Sequence, residues 1–199
     1  MKFSVILFDG FQTLDAFGPI EVFGKLEKFY EIGCYSENGG IVTSSQKTRI
    51  ETRPFSEIEP GGIILIPGGF GTRPLAENAA YIEKLKALCE QAKYVLTVCT
   101  GSGLLAKTGL IRGKRATSNK ISFDWAISQD ADVLWVRKAR WVTDGKYYTS
   151  SGVSAGIDMS LGFVADTAGA DIAKKVAYAM EYIWNEDREN DPFMEGRMP

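Results

Sequence analysis

The stretch Pro60-Gly61-Gly62-Ile63-Ile64-Leu65-Ile66-Pro67-Gly68-Gly69 sets the narrowest limits on what this chain can fold into. Four consecutive apolar residues are closed at both ends by proline and glycine, which interrupt regular structure. A strand sends successive side chains to opposite faces, so this one is apolar on both. Such a strand belongs in the middle of a parallel sheet covered by helices on either side. Two more runs follow the same pattern. Phe3–Phe8 is apolar and closed by Asp9-Gly10, and Tyr94–Val98 ends on Cys99-Thr100-Gly101 and leads into a helical pattern.

The remaining segments fill in an alternation of strands and helices. A helix is predicted over Ala16–Lys28, with Asp15 near its start and Pro19 in its first turn. A second strand is predicted over Phe29–Tyr35, with a turn at Glu37-Asn38-Gly39-Gly40 and a hairpin of Ile41–Ser44 with Thr48–Thr52. Ala76–Gln91 reads as one helix, with Ile82, Leu85, Leu88 and Cys89 on a single face. Further along, Gly103–Lys107 is helical, Arg115–Ser118 is a brief strand and Ile121–Ser128 is a short helix. Val133–Val136 and Ala139–Thr143 are strand-like, and Asp144-Gly145 turns into Lys146–Ser150. Ser154–Ala168 is a helix ended by Gly169. Asp171 caps a last helix carrying Ile172, Val176, Ala179, Met180 and Ile183. The pattern is that of a single α/β domain over residues 1–186, a three-layer sandwich with a mostly parallel sheet. Residues 187–199 form a polar tail, either disordered or laid on a partner surface.

Bulk properties exclude several function classes. In 199 residues, 45% are hydrophobic and 24% charged, the composition of a globular domain with a substantial core. The net charge is −2 and no basic block occurs, which disfavours nucleic acid as a partner. Cys34, Cys89 and Cys99 are too few and too scattered for a disulfide framework or a CxxC metal motif, in keeping with a reducing cytoplasm. The apolar start is too short for a signal peptide, and no run is long enough to span a membrane. The chain has no histidine. A Cys–His or Ser–His pair cannot be built within it, so acid–base work falls to Asp, Glu, Lys, Tyr or a thiol.

Cys99 stands at a strand-to-helix elbow, beside the free N–H groups of a new helix, where a thiolate would be favoured over a thiol. The plainer alternative is a buried, inert cysteine at a strand end. In a doubly wound sheet, ligands gather at the carboxyl ends of the strands. Three stretches meet there: Asp9–Asp15, Gly68–Gly71 and Cys99–Gly101. Taken alone, Asp15 is also a helix N-cap, Thr100 a turn residue, Gly68-Gly69 a strand-ending turn and Asn119 a loop polar group. Trp125, Trp135, Trp141 and Trp184 read as core or subunit-contact residues, and Asp158 as a helix-start charge.

Four segments in register carry a family likeness. Phe8-Asp9-Gly10-Phe11-Gln12-Thr13-Leu14-Asp15-Ala16-Phe17-Gly18-Pro19, Ile66-Pro67-Gly68-Gly69, Val98-Cys99-Thr100-Gly101 and Ser151-Gly152-Val153-Ser154-Ala155-Gly156-Ile157-Asp158 resemble the landmarks of the ThiJ/PfpI superfamily, which has the class I glutamine amidotransferase-like fold. The likeness spans nearly the whole chain. It implies a flavodoxin-like sandwich that dimerises. Asp15 together with Cys99-Thr100 resembles the isonitrile hydratase branch, and the Asp-Pro-Phe tail is similar to it. The resemblance implies a cofactor-independent lyase that adds water to an isonitrile. Cys99 would be the nucleophile, Asp15 the proton carrier, and Thr100 would orient substrate or water. The N–H groups of Gly69 and Thr100 would face developing negative charge, with Gly68, Asn119, Val153 and Ser154 around the substrate. One departure stands out: Asn119 occupies the position of a histidine found in much of the branch, so Cys–His relatives are poor guides. Phe11, Phe17 and Phe70 are candidates for an apolar pocket. Two other functions fit the same fold, a reversibly oxidised redox cysteine and a small-molecule sensor domain.

Overall fold

The computed structural model describes residues 1–194. Strands β1 (Lys2–Ile6), β2 (Glu31–Ser36), β3 (Asn38–Thr43), β4 (Arg49–Pro54), β5 (Ile63–Ile66), β6 (Tyr94–Thr97), β9 (Trp141–Asp144) and β10 (Tyr147–Ser150) form one sheet, while β7 (Arg115–Ala116) and β8 (Leu134–Trp135) pair apart from it. The order across the large sheet is β3-β4-β2-β1-β5-β6-β10-β9. The inner six strands are parallel, and β3 and β9 close the two edges antiparallel. From β1 the chain moves to β2 on one side and returns to β5 on the other. The β1/β5 boundary is therefore the topological switch point, and its carboxyl-end crevice is where such sheets bind ligands.

Alternation along the central strands explains the layers. Phe3 of β1 turns to one face, where it stacks on Phe23 of α1 (Thr13–Gly24) at 4.1 Å between centroids, and Phe23 in turn meets Phe163 of α6 (Ala155–Ala168). Val22, Leu161, Val164, Ala173, Val176 and Ala177 join α1 and α6 to α7 (Ala170–Ala179) in a cluster of their own. On the other face lie α2 (Thr72–Ala76), α3 (Ala79–Gln91), α4 (Gly101–Lys107) and α5 (Phe123–Gln129). Ile63, Ile64, Leu65 and Ile66 are all buried, as a strand covered on both sides requires.

Several local expectations are corrected. The helix predicted over Ala76–Gln91 begins at Ala79, because Asn78 accepts the Tyr81 N–H on its side chain and caps it; Ala76 is the last residue of α2. Pro19 lies in the middle of α1, not in its first turn, since the helix begins at Thr13. Gly39 and Gly40 belong to β3 rather than a turn, both with positive φ on an edge strand. Gly169, not Asp171, stands at the N-cap of α7, and Ile183 lies beyond that helix and is exposed. Residues 185–194 run back over their own domain. Arg140 N–H donates to the Arg188 carbonyl and Asp191 N–H to that of Lys138, at 2.8 and 2.7 Å. The rest of the tail, 195–199, lies outside the described residues. No helix among those described is long and apolar enough to cross a membrane.

Candidate active site

Cys99 follows β6 with φ at +57°, a left-handed conformation that is strained for a residue with a Cβ. The surroundings hold it there. Its N–H donates to the Ser151 carbonyl at 3.1 Å, and its carbonyl accepts the hydroxyls of Ser102 and Ser118 at 2.9 and 3.0 Å. Gly101 lets the elbow lie against β5, since a Cβ there would run into the Ile66 carbonyl. The turn thus points the sulfur at the crevice from a backbone fixed on both sides.

Asp15 reaches the same point from α1. Gln12, not Asp15, is the N-cap; Asp15 is the third helical residue and turns its carboxyl inward. It is 0% exposed, and its Oδ2 accepts the Gly68 N–H at 2.9 Å. Oδ1 has no well-aligned hydrogen-bond partner. Burial pushes the Asp15 pKa up to about 7, against a smaller downward pull from Gly68 and the neighbouring Cys99 thiol. Cys99 itself is 8% exposed. Burial, and then the Asp15 charge, push its thiol far above the usual range, although the Thr100 N–H and hydroxyl and the Val153 N–H pull the other way. The expectation of a resting thiolate is corrected by this balance. A few N–H dipoles do not offset burial beside a carboxylate, and the pair holds a proton.

Thr100 lies at the start of α4. Its Oγ1 accepts the Gly69 N–H at 3.0 Å and lies 3.2 Å from Thr72 Oγ1. The Gly69 N–H is therefore engaged within the protein, and the Thr100 and Val153 N–H groups face sulfur. That corrects the expectation for Gly69, whose N–H is not free to meet developing negative charge, while the Thr100 N–H is aimed at sulfur. Gly68 sits wedged behind them: a Cβ would come within 2.6 Å of Thr100 N and 2.9 Å of Asp15 Oδ2. Val153, with φ at +42°, is a second strained residue on the β10–α6 loop.

A cavity of about 260 Å³ opens above the sulfur. Cys99 and Thr100 are in its lining, together with Gly69, Asn119 and Val153. Asn119 lines it but is already engaged, its Oδ1 accepting the Ser122 N–H at 2.9 Å. Of the three aromatic candidates Phe70 alone lines the cavity; Phe11 is wholly buried and Phe17 packs on the core. Ser154 is not in the lining. Its hydroxyl accepts from Arg140 at 3.2 Å, behind the site. Gln12, Arg73, Ile121 and Ser122 also line the cavity. Sequence reasoning did not single them out: Gln12 lies in the first family segment with no role given to it, and Arg73, Ile121 and Ser122 fall in no motif.

A family model, the DJ-1/PfpI family, matches residues 1–166. The chain belongs to the DJ-1/PfpI family. It is 36% identical over 142 residues to an isonitrile hydratase of Pseudomonas putida, a match covering 71% of this chain and 61% of that protein. It is 30% identical over 144 residues to the HTH-type transcriptional regulator CdhR of Pseudomonas aeruginosa, covering 71% of this chain and 42% of the regulator. The chain thus matches less than two thirds of the length of these curated relatives. Among solved structures, a ThiJ/PfpI family protein from Pseudomonas syringae superposes with a TM-score of 0.85 at 28% identity, over 98% of this chain and 78% of that one. The family likeness read from four sequence segments and the flavodoxin-like α/β fold are both shown. DJ-1/PfpI relatives include enzymes and a regulator, so the family leaves the reaction open.

Proposed function

We propose that this protein hydrates an isonitrile, R–N≡C, to the N-substituted formamide, R–NH–CHO. The observation that carries the reading is the Asp15 carboxyl buried against the Cys99 thiol, which itself lines the cavity. The likeness to the Pseudomonas putida isonitrile hydratase supports it. The terminal carbon of an isonitrile accepts both a nucleophile and a proton. Ionised Asp15 takes the proton from Sγ as sulfur attacks that carbon, and then delivers it to the same carbon, giving the thioimidate R–N=CH–S–Cys99. Water adds to the thioimidate carbon, one water proton passing to nitrogen. The C–S bond then breaks, the hydroxyl proton returns to sulfur through Asp15, and the formamide leaves. The Thr100 and Val153 N–H groups stabilise sulfur while it carries negative charge.

The reading predicts that formamide appears when the protein is mixed with isonitriles and is lost in Cys99→Ala. Asp15→Asn should retain Cys99 alkylation by a neutral reagent but lose at least a hundredfold in kcat/KM. Because the reaction needs Asp15 ionised, kcat/KM should rise with pH through about 7. Formamide production that survives Cys99→Ala would remove the thiol from the chemistry. The redox alternative is the weaker one, since fast reaction with peroxide calls for an accessible thiolate and Cys99 is a buried thiol.

A further inference from the structure

Arg73 is a cation that the proposed chemistry does not use. It follows Thr72 in α2 and lines the cavity together with Cys99. Nη1 donates to Thr72 Oγ1 at 2.9 Å and Nη2 to Ser122 Oγ at 3.0 Å, while the guanidinium carbon lies 4.0 Å from the centre of the Trp125 ring. These contacts fix the plane of the group, yet both hydrogen-bond acceptors are neutral hydroxyls. A guanidinium has five N–H donors, and two are engaged here. Among the described residues no carboxylate pairs with it. Asp124, the acid of α5, pairs with Arg137, and Asp15 is turned to Gly68 and Cys99. Partial burial disfavours the Arg73 charge. A half-buried guanidinium, held flat on an indole and without a counter-charge, is organised to receive a planar anion by paired N–H bonds.

We propose that Arg73 binds a carboxylate of the substrate, so that the isonitriles taken by this site are isocyano carboxylates, anionic and amino-acid-like, rather than neutral alkyl or aryl isonitriles. The substrate class rests on the isonitrile reading above; the carboxylate site does not. With the isonitrile carbon at Cys99 and the carboxylate at Arg73, the side chain of the substrate would lie toward Phe70 and Ile121, two exposed apolar residues in the cavity lining. The competing role for Arg73 is a strap that ties α2 to α5 through Thr72, Ser122 and Trp125, with no ligand at all.

Two alkylating reagents separate these roles without any isonitrile. Iodoacetate and iodoacetamide share a leaving group and nearly a shape, and differ in charge. Their rates at Cys99, read by peptide mass spectrometry and compared with N-acetylcysteine, report whether an anion is drawn to the thiol. The expected iodoacetate-to-iodoacetamide ratio at Cys99 is at least tenfold above that of N-acetylcysteine. Arg73→Gln should bring it down to that value, and Arg73→Lys should recover part of it. A wild-type ratio equal to that of N-acetylcysteine overturns the proposal, as does an Arg73→Gln variant that slows both reagents alike, the behaviour of a strap. Turnover of isocyanoacetate and of its methyl ester completes the test. A preference of at least tenfold for the salt, carried by KM and lost in Arg73→Gln, is expected. A raised alkylation ratio with no formamide from either compound would keep the carboxylate site and remove the isonitrile chemistry. Equal turnover of both with an unraised ratio would do the reverse.

Discussion

Burial raises both members of the Asp15–Cys99 pair, so near neutral pH the two groups share one proton instead of carrying two charges. This has a consequence for stability. Below about pH 4 Asp15 is protonated folded and unfolded alike. Between the unperturbed value of 3.8 and the folded value of about 7, the unfolded chain gives up that proton and the folded protein keeps it. The unfolded state then binds fewer protons, so this residue's contribution to stability falls as pH rises across that window and is fully lost above it, by roughly 2–4 kcal/mol. Asp15→Asn should remove the slope: urea titrations should show the variant gaining that amount over wild type on going from pH 4 to pH 8. A constant difference at both pH values would mean that Asp15 is not held protonated by the fold. Legibility also differs residue by residue. Cys99 could be read from its own neighbours, because an apolar run, a small turn and a helix together spell an elbow. Asp15 could not, since an acid near a helix start reads as a cap, and its inward turn depends on Gly68, which comes 53 residues later. Arg73 was invisible for the same reason: Ser122, which holds it, lies 49 residues on.

At the scale of elements, the crevice is a meeting of three strand ends, and the spacing between them is set by glycine. Gly68 leaves room for the Asp15 carboxyl and Thr100 to close over the β5 turn. A methyl at that position would lie 2.7 Å from Thr100 Oγ1 and 2.9 Å from Asp15 Oδ2. Gly68→Ala should therefore push the acid away from the thiol. On the proposed isonitrile chemistry, we expect a folded protein by circular dichroism whose formamide production falls by about a hundredfold, the usual effect of displacing a catalytic group by about 1 Å. Wild-type turnover in that variant would show that the acid and thiol need no fixed separation. The strands that converge here were readable because their apolar runs are continuous and glycine-bounded. Boundaries set by single side chains were not. The Asn78 cap that divides α2 from α3 looks, in sequence, like one polar position on an amphipathic helix, and the two-residue strands β7 and β8 are too short to have a period.

Across the whole molecule, the segment that closes the fold is an ion cluster that no periodicity announces. Asp158 of α6 accepts Arg140 Nε at 2.7 Å, the Tyr182 hydroxyl at 3.0 Å and the Asn185 N–H at 3.0 Å. Asp191 lies 3.6 Å from Arg140 and 3.8 Å from Lys120, and all four charged side chains are nearly or wholly buried. Residues 185–194 are thus tied through charge to Arg140, just before β9, and to Lys120, which stands between the cavity residues Asn119 and Ile121. Asp158, read in sequence as a helix-start charge, is the hub of this arrangement because its partners are Arg140, just before β9, and residues of the chain after α7. Removing one partner of a buried pair leaves the other uncompensated, typically at about 3–5 kcal/mol. Asp191→Ala should lower the unfolding free energy by roughly 3 kcal/mol and the melting temperature by about 6–12 °C for a domain of this size. Replacing Lys120 by Met in the same protein removes one of the charges left stranded, so the double variant should be more stable than Asp191→Ala alone. Equal melting temperatures for the single and double variants would assign the closure to the backbone bonds of Arg140 and Asp191, with the ions contributing nothing to it.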